Sequence, residues 1–394
     1  MLETNWIIMK SQTQANPASL RPEQTNQGLP RPAETESLEQ LVEQAAEAAP
    51  LPADALPDDL AEVRSSGFSL RDKFLNVKSL ASFGIAFAIL GLAFWRADIN
   101  LAEMWQQILQ TNLWLYSAGF IVFYGLFPIR AWRWRIILRS AGFEVDSPQS
   151  RKNWSGIAAL SEFIGLSWFA NCVVPAKLGD AYRGYLVKKN GNASFSRTLG
   201  TIFAERIVDM IVLFGMLVVS GLLVFQGHLN SWTEKLFIIG IVFTILLVIG
   251  LMSMRYLSPL IRRALPQRFH DFYARFEEGT LSSFRPSRLP ILLILTIIVW
   301  LGESMRLFFV IEAMGGLGLS LSAIIFVALA SSLLTAVPAL PGGLGLVEVG
   351  IAGVMMLFSV GQTTSTAVAF LDRIINYWSI VILGLVLYLF SKRK

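Results

Sequence analysis

The sequence predicts an all-α polytopic membrane protein with two halves of opposite orientation. The chain has 394 residues, of which 54% are hydrophobic and only 15% charged, too apolar for a soluble protein of this size. Long apolar runs, most of them able to cross or deeply enter a bilayer, follow one another from residue 80. The runs are Leu80–Phe94, Leu113–Leu138, Trp154–Val174, Leu199–Phe225, Leu236–Met254, Leu289–Ala313, Leu321–Val337, Gly345–Val360 and Thr366–Phe390.

The first 72 residues differ in composition from the rest. They are rich in Pro, Glu, Gln and Ala and poor in aromatic residues, which is typical of disorder. Met1–Lys10 lacks the basic start and apolar run of a signal peptide. We therefore expect a disordered acidic, Pro-rich cytoplasmic tail over 1–72 and a transmembrane domain over 73–394. Within that domain we place repeat 1 at about 80–225 and repeat 2 at about 236–390.

Basic residues between the runs predict the topology. Residues 1–63 hold eleven acidic and three basic residues, so the rest of a chain of net charge +5 carries +13. That excess lies mainly in 130–153, 175–198 and 255–288, whereas 314–372 contain no Lys or Arg. The positive-inside rule makes the basic connections cytoplasmic. We expect the plasma (inner) membrane, cytoplasmic N- and C-termini, and no nucleic-acid partner.

Two runs have flanks of the same kind at both ends, which argues against a single crossing. Trp154–Val174 is flanked by basic segments, and Leu321–Val360 by segments without them. We expect two re-entrant helical hairpins that enter from opposite faces, with tips at Pro175–Gly179 and Pro338–Gly343, where proline and glycine break a helix. With about six spans, this gives the inverted-topology repeat of many secondary transporters. Full crossing by the hairpin arms stays an alternative, which leaves six to ten membrane helices.

Landmarks that recur in the same order suggest that the chain is a duplication. Each half has a Pro-x-x-Leu-Gly stretch, an acid-Arg-Ile sequence, and an arginine nine residues before a glycine. The matched landmarks are Pro175–Gly179 with Pro341–Gly345, Glu205–Ile207 with Asp372–Ile374, and Arg133 with Arg306.

The charged residues inside apolar runs are the first candidates for substrate binding. A charge at the centre of a membrane helix costs about 2.5–3.5 kcal/mol on insertion scales, so such residues face the bundle interior and pair. We predict that Arg206 and Arg373 form a shared anion site, each with its own carboxylate neighbour, Glu205 and Asp372. Arginine suits phosphate because its planar fork donates two parallel hydrogen bonds. The alternative is that these ion pairs only pin the hairpins.

The hairpin tips supply the other candidates. Lys177 and Arg183 add positive charge at the first tip, where Asp180 is expected to balance one of them. At the second tip Gly342–Gly343 lets the backbone approach a ligand, the following helix N-terminus favours an anion, and Glu348 is expected to pair with an arginine across the repeat. The predicted substrate-binding residues are Asn171, Lys177, Asp180, Arg183, Glu205, Arg206, Asp209, Gly342, Gly343, Glu348, Asp372, Arg373 and Tyr377.

Other features receive structural interpretations. We interpret Arg130, Arg133 and Arg135, with their neighbouring tryptophans, as an interfacial anchor. We interpret 258–286 as one amphipathic helix on the membrane surface, with its aromatic residues on the apolar side. One cysteine, two distant histidines and the lack of a Walker loop, a Ser-His-Asp pattern or zinc-ligand spacing exclude the usual disulfide, metal, hydrolase and ATPase motifs. We expect no cofactor and no enzymatic activity.

These motifs together resemble the lysylphosphatidylglycerol synthase transmembrane region, or flippase-like domain, family over about residues 75–394. The family pattern Asn-x-x-x-Pro-x-[Arg/Lys]-x-Gly-[Glu/Asp]-x-x-Arg is matched from Asn171 to Arg183, with Lys177 where arginine is commoner. Glu-Arg-x-x-Asp is matched at Glu205–Asp209, Pro-Gly-Gly-x-Gly-x-x-Glu at Pro341–Glu348, and Arg-x-x-x-Tyr-Trp at Arg373–Trp378. The resemblance implies a stand-alone member without the soluble aminoacyltransferase domain of the bifunctional proteins.

The resemblance further implies a transporter that translocates a phospholipid or a polyprenyl-phosphate-linked lipid between leaflets. Its partners would be the bilayer and an anionic or phosphate-bearing lipid, with a homo-oligomer or a membrane enzyme left open. The alternative is a non-transporting subunit of a glycosyltransferase or lipid-modifying complex. An intramembrane enzyme is least expected, because the acids and bases come as matched pairs without a clear nucleophile.

The hairpin prediction can be tested by labelling. In a Cys172→Ser background, single cysteines placed at 177 and 340 should react slowly with a membrane-impermeant thiol reagent, because both tips are expected to lie inside the bilayer. A cysteine in the exposed 144–153 connection, assayed in opened vesicles, provides the reference rate. Reaction of both tips at that reference rate would contradict re-entrant hairpins.

Overall fold

The computed structural model describes residues 77–96, 99–174, 177–226, 231–335 and 340–394. All regular secondary structure in these ranges is helical. The longer helices are α1 (Val77–Arg96), α2 (Leu101–Leu109), α3 (Leu113–Ser140), α4 (Ile157–Val173), α5 (Leu178–Gly191), α6 (Phe195–Phe225), α7 (Ser231–Ala264), α8 (His270–Ser283), α9 (Leu289–Ala313), α10 (Leu321–Leu334), α11 (Leu346–Met356), α12 (Gln362–Arg373) and α13 (Ser379–Phe390). The predicted disordered tail over 1–72 lies outside the described residues.

Several helices are long and apolar enough to cross a membrane. In the described part of the chain these are α3, α4 with its lead-in from Pro148, α6, α9, and α12 continued into α13. Helix α7 adds a sixth if its halves, bent by 62° between Leu251 and Ser253, count as one span. The protein is therefore an all-α polytopic membrane protein, as predicted. The prediction differs from this set in two ways. It counts α1 as a span, and it treats α4 as one arm of a hairpin.

Helices α3 and α9 pack antiparallel at the centre of the fold. At one end the Asn112 N–H donates to the Ala313 carbonyl at 2.7 Å. Towards the other end Arg133 donates to the Thr296 hydroxyl at 2.9 Å. The two helices carry the corresponding arginines of the two predicted repeats. An inverted repeat requires this antiparallel direction, whereas a same-direction repeat would place the two helices parallel.

Helices α4 and α5 form a hairpin whose open ends lie together. Arg393 donates to the Asn153 carbonyl, just before α4, at 3.0 Å. Asn190, at the end of α5, donates to the Arg393 carbonyl at 2.9 Å. With 14 residues, α5 is about 21 Å long, shorter than the roughly 30 Å hydrocarbon core. Helix α5 is therefore too short to span this core, whereas α4 with its lead-in from Pro148 is long enough to do so.

Helices α10 and α11 form the second hairpin, at the opposite end of α6. The ring of Phe225, the last residue of α6, lies 5.5 Å from Phe326 near the start of α10. It lies 5.8 Å from Phe358, just beyond α11. The first hairpin instead ends beside the start of α6. The open ends of the two hairpins therefore lie at opposite ends of α6.

The turn into α5 depends on a close backbone approach at Gly179. Lys177, directly before α5, has the left-handed φ of 52°. The Gly179 N–H then donates to the Asn171 side-chain oxygen at 2.8 Å. A Cβ on Gly179 would lie only 2.0 Å from the Ser167 carbonyl oxygen. Only glycine lets α5 pack this tightly against α4.

The segment 258–286 differs from the prediction of one surface helix. Helix α7 continues to Ala264, and a break at Pro266 separates it from α8. Helix α8 packs directly on α6. The two backbones are so close that a Cβ on Gly200 would lie 2.2 Å from the Phe276 carbonyl oxygen. Two small residues, Gly200 and Gly279, allow this contact. The amphipathic helix α2 was not predicted, because its nine residues lie between two longer apolar runs.

We expect Gly179→Ala to destabilise the protein by about 1–3 kcal/mol or more, because the new methyl group overlaps a backbone oxygen that a rotamer change cannot move. Gly215→Ala in α6 is the matched control, since a Cβ there meets nothing within 4 Å and alanine favours a helix. Thermal unfolding in detergent would compare the two variants. Equal melting temperatures would contradict the close approach seen at the first tip.

Candidate functional site

A cavity of about 210 Å³ lies between the α3–α9 pair, the two hairpin tips and α6. Seven basic and four acidic side chains line it. The basic ones are Arg130, Arg133, Lys177, Arg183, Arg206, Arg306 and Arg373, and the acidic ones are Asp180, Glu205, Asp209 and Glu303. Ten of the thirteen predicted site residues line this cavity, whereas Gly343, Glu348 and Asp372 are not among its lining residues.

Arg133 is the centre of the ion-pair cluster of the first repeat. Its guanidinium group is 2% exposed and contacts Glu205 at 2.6 Å and Asp209 at 2.5 Å. Glu205 also contacts Arg183 at 2.8 Å. These contacts connect α3, α5 and α6, and the bond to Thr296 extends them to α9. Buried charges are tolerated here because each is paired.

Arg206 belongs to the same cluster but is less enclosed. It donates from Nη2 to Asp180 at 3.1 Å and from Nη1 to Asp209 at 3.4 Å. Its side chain is 36% exposed. Because Asp180 lies on α5, Arg206 holds the returning arm of the first hairpin against α6.

Arg306 is the centre of the corresponding cluster of the second repeat. It contacts Asp372 on α12 and, at 3.2 Å, Glu303 one turn before it on α9. Asn376 donates to the other oxygen of Asp372 at 2.8 Å. Arg133 and Arg306, the matched arginines of the two predicted repeats, therefore each bind an acid on the last long helix of their predicted repeat.

Arg373 uses each arm of its guanidinium group within the second hairpin region. Nε donates to Glu348 at 2.9 Å, Nη1 to the Asn376 side chain at 3.1 Å, and Nη2 to the Gly342 carbonyl at 3.0 Å. The other oxygen of Glu348 accepts the Gly345 N–H at 2.8 Å. The anion expected at this helix N-terminus is therefore Glu348 itself.

Three predicted pairings were wrong. Glu205 and Asp372 pair with Arg133 and Arg306, not with the arginines next to them in sequence. The reason is geometric, since consecutive helix residues point about 100° apart and meet different neighbours. Glu348 pairs with Arg373 within its own repeat rather than across the repeats.

One buried ion pair joins the two predicted repeats and was not predicted from the sequence. Arg130 on α3 contacts Glu303 on α9 at 2.6 Å, and both residues are under 10% exposed. The interpretation of Arg130 and Arg133 as an interfacial anchor was therefore wrong, although Arg135 does contact Asp146 at 2.9 Å, outside the cavity. The signal was available, because Arg130 and Glu303 each lie three residues before a matched arginine.

The two hairpin tips touch at the cavity wall. Tyr377 donates its hydroxyl to the Cys172 carbonyl at 3.1 Å. A Cβ on Gly342 would lie 3.4 Å from the Cys172 sulfur and 2.7 Å from the Tyr377 ring. Gly342 also has a left-handed φ of 54°, which favours glycine. The predicted approach of the two tips is therefore observed.

Several basic groups of the cavity have unused donors. Arg183 stacks on Trp134 at 3.5 Å, and its buried Nε and Nη2 have no hydrogen-bond acceptor. Arg130 Nη1 is also without one. The Lys177 side chain makes no hydrogen bond or ion pair with any residue that the structure describes, although its backbone carbonyl accepts from the Asp180 N–H. Within that part of the chain, no group of three or more His, Cys, Asp or Glu side chains is arranged to hold a metal ion.

Comparison with protein families shows which family the chain belongs to. The family model described as the lysylphosphatidylglycerol synthase transmembrane region matches residues 80–384. The chain belongs to this family. The match covers both hairpins and all the charged residues that line the cavity.

The chain is similar to several archaeal proteins. A UPF0104 membrane protein of Methanocaldococcus jannaschii is 35% identical over 229 residues, covering 57% of this chain and 95% of the relative. One from Pyrococcus horikoshii is 25% identical over 293 residues, covering 67% and 83%. The glycosyltransferase AglD of Haloferax volcanii is 26% identical over 133 residues, covering 34% of this chain and 20% of that protein. No solved structure matches the chain.

We expect the buried pair between Arg130 and Glu303 to be strongly coupled. Glu303→Met should destabilise the protein by about 3–5 kcal/mol, because it leaves Arg130 as an uncompensated charge. Arg130→Met should cost less, because Glu303 keeps its contact with Arg306. The double variant should be less destabilised than the sum of the two. Thermal unfolding would measure this cycle against the exposed pair Arg197–Glu278, where coupling should stay below about 1 kcal/mol. Additive effects at Arg130 and Glu303 would contradict the pairing.

Proposed function

We propose that the protein translocates a phospholipid or a polyprenyl-phosphate-linked lipid between the two leaflets. The observation that carries the proposal is the cavity itself, with its excess of basic side chains, deep inside a bundle of membrane helices. A cavity of this kind gives the charged head group of a lipid a polar environment inside the bilayer. Arginine-rich sites suit phosphate oxygens, because the guanidinium fork donates paired hydrogen bonds.

The two hairpins support a transport mechanism. They enter from opposite ends of the bundle, and their tips meet beside the cavity. Transporters with inverted repeats bind substrate at the repeat interface and move one repeat against the other. The antiparallel α3–α9 pair and the matched clusters around Arg133 and Arg306 support such an inverted repeat. Parting of the tips would open the cavity without unfolding a helix.

Sidedness follows from the distribution of charge. Arg393 lies against Lys152, Asn153 and Asn190, so the basic connections on both sides of the first hairpin share one end of the bundle with the C-terminal residues. We propose that this end faces the cytoplasm of a plasma (inner) membrane, by the positive-inside rule.

One relative favours a different function. The match to part of a glycosyltransferase supports the alternative that the chain is a membrane component of a glycosyltransferase or lipid-modifying complex. In that case the ion pairs would only hold the helices together, and a membrane enzyme would be the partner. The proposed lipid transporter is not itself an enzyme, and a homo-oligomer is compatible with either function.

The two functions differ in the expected effect of Arg206→Lys. If the arginine binds a lipid phosphate, lysine should slow lipid movement about tenfold while the protein stays folded, because the charge remains and the fork is lost. The assay is leaflet-resolved lipid accessibility in reconstituted vesicles, with thermal unfolding measured in parallel. Arg197→Lys, in an exposed ion pair outside the cavity, is the matched control.

The double variant Arg206→Lys, Arg373→Lys provides a stricter test. Normal lipid movement in a stable double variant would refute the anion-binding role and favour the structural alternative. A variant that loses stability and movement together would point to the hairpin-pinning role of Arg373.

A further inference from the structure

The two matched arginines of the cavity differ in how freely they can bind a ligand. The Arg373 side chain is 4% exposed, and each arm of its guanidinium group has a partner in the protein. The Arg206 side chain is 36% exposed, and its contacts with Asp180 and Asp209 are 3.1–3.4 Å long. Of the two, Arg206 is the one that a ligand can reach without breaking a fully satisfied group.

Positive charge is in excess on the same side of the cavity. Arg133, Lys177, Arg183 and Arg206 face three acids of the first repeat, whereas Arg306 and Arg373 are matched by Asp372 and Glu348. The excess includes unused donors. The Lys177 side chain has no hydrogen-bond or ion-pair partner among the described residues, and Arg183, only 2% exposed, has two nitrogens without an acceptor. An anion would supply the missing acceptors.

Asp180 already binds Arg206 in the manner of an oxyanion. Its two carboxylate oxygens accept from Nη2 at 3.1 Å and from Nε at 3.3 Å, which is the paired geometry that a phosphate group also adopts. Asp180 lies three residues after Lys177, on the returning arm of the first hairpin, and its side chain is 21% exposed. A carboxylate in this position can exchange with a ligand from the cavity.

We propose that Arg206 and Lys177 form a phosphate-oxyanion site and that Asp180 is the internal ligand which the oxyanion displaces. The buried Arg183 adds positive charge behind the site. The site lies in the first repeat alone, instead of being shared by Arg206 and Arg373. That the oxyanion belongs to a lipid head group rests on the proposed function, whereas the exchange with Asp180 rests on the contacts described here.

Exchange at this site would also release a mechanical link. The Arg206–Asp180 pair holds α5 against α6, so its loss frees the returning arm of the first hairpin. The corresponding Arg373–Glu348 pair keeps the second hairpin in place. Ligand binding therefore loosens one hairpin and leaves the other fixed, and this difference gives the bound oxyanion control over which tip moves.

The test is equilibrium binding to the full-length protein in detergent, read from the fluorescence of Trp168 and Trp300 in the cavity wall. The probes are short-chain phosphatidylglycerol, short-chain phosphatidylcholine and inorganic phosphate. Asp180→Asn should bind phosphatidylglycerol about fivefold more tightly than the unmodified protein, because the competing carboxylate is gone. Glu278→Gln is the matched control: it also neutralises an acid paired with an arginine, and should leave the Kd unchanged.

A second variant tests the site independently of the fold. Lys177→Gln should weaken binding about tenfold with an unchanged melting temperature, since Lys177 holds no ion pair that its loss would break. No gain with a folded Asp180→Asn, an equal gain with Glu278→Gln, or no loss with Lys177→Gln would each overturn the proposal. If Asp180→Asn does not fold, Lys177→Gln decides.

The probes separate the site from the transport proposal. Tighter binding of phosphatidylglycerol than of phosphatidylcholine or inorganic phosphate is expected if the oxyanion comes from an anionic lipid. If inorganic phosphate binds as tightly and shows the same Asp180→Asn gain, the exchange site stands and the lipid assignment falls. Binding as expected without lipid movement in vesicles would refute transport alone.

Discussion

The structure depends on one constraint, which is that an ionised group away from water needs a partner. In the membrane domain, an unpaired arginine or carboxylate would cost several kcal/mol. The chain satisfies the constraint at the buried arginines of the cavity, each of which lies beside a carboxylate from another helix. Arg133 joins α3 to α6 and α9, Arg206 joins α6 to α5, and Arg130 joins α3 to α9. The charges thus fix which helices are neighbours, while lipid-facing apolar residues contribute little to that choice.

The sequence predicts the helices, the hairpins and ten of the 24 residues that line the cavity, because these depend on local signals. Apolar runs define the helices, and Pro and Gly define the tips. The pairing of charges is not predictable in the same way. Glu205 and Arg206 are neighbours in sequence, yet Glu205 contacts two arginines of α3 and α5 while Arg206 contacts Asp180, so only the packing of α3 and α5 against α6 decides their partners. The interpretation of Arg130 was wrong for a different reason. An arginine beside tryptophans is usual at a membrane interface, and the sequence pattern does not show that this one is buried.

The contacts of the two predicted repeats correspond in some respects and differ in others. Lys177 and Gly343 occupy matched positions and both have a left-handed φ, at 52° and 70°. The following helices α5 and α11 each begin at a glycine N–H held by a side chain, through Asn171 in one half and Glu348 in the other. The difference is chemical. The neutral Asn171 amide leaves Arg206 to pair with Asp180, whereas the Glu348 carboxylate binds Arg373 directly. The two glycine N–H groups are therefore held from different sides of the turn, since Asn171 precedes Gly179 and Glu348 follows Gly345.

The contact between the tips also gives the molecule a natural reporter. Cys172 is the single cysteine of the chain, and the second hairpin covers it at Gly342 while Tyr377 holds its carbonyl. Its thiol is buried as long as the tips stay together. Its rate of alkylation therefore measures how often the tips separate, in the unmodified protein and without any attached label. A change in that rate when a ligand is added would report motion at the centre of the bundle in real time.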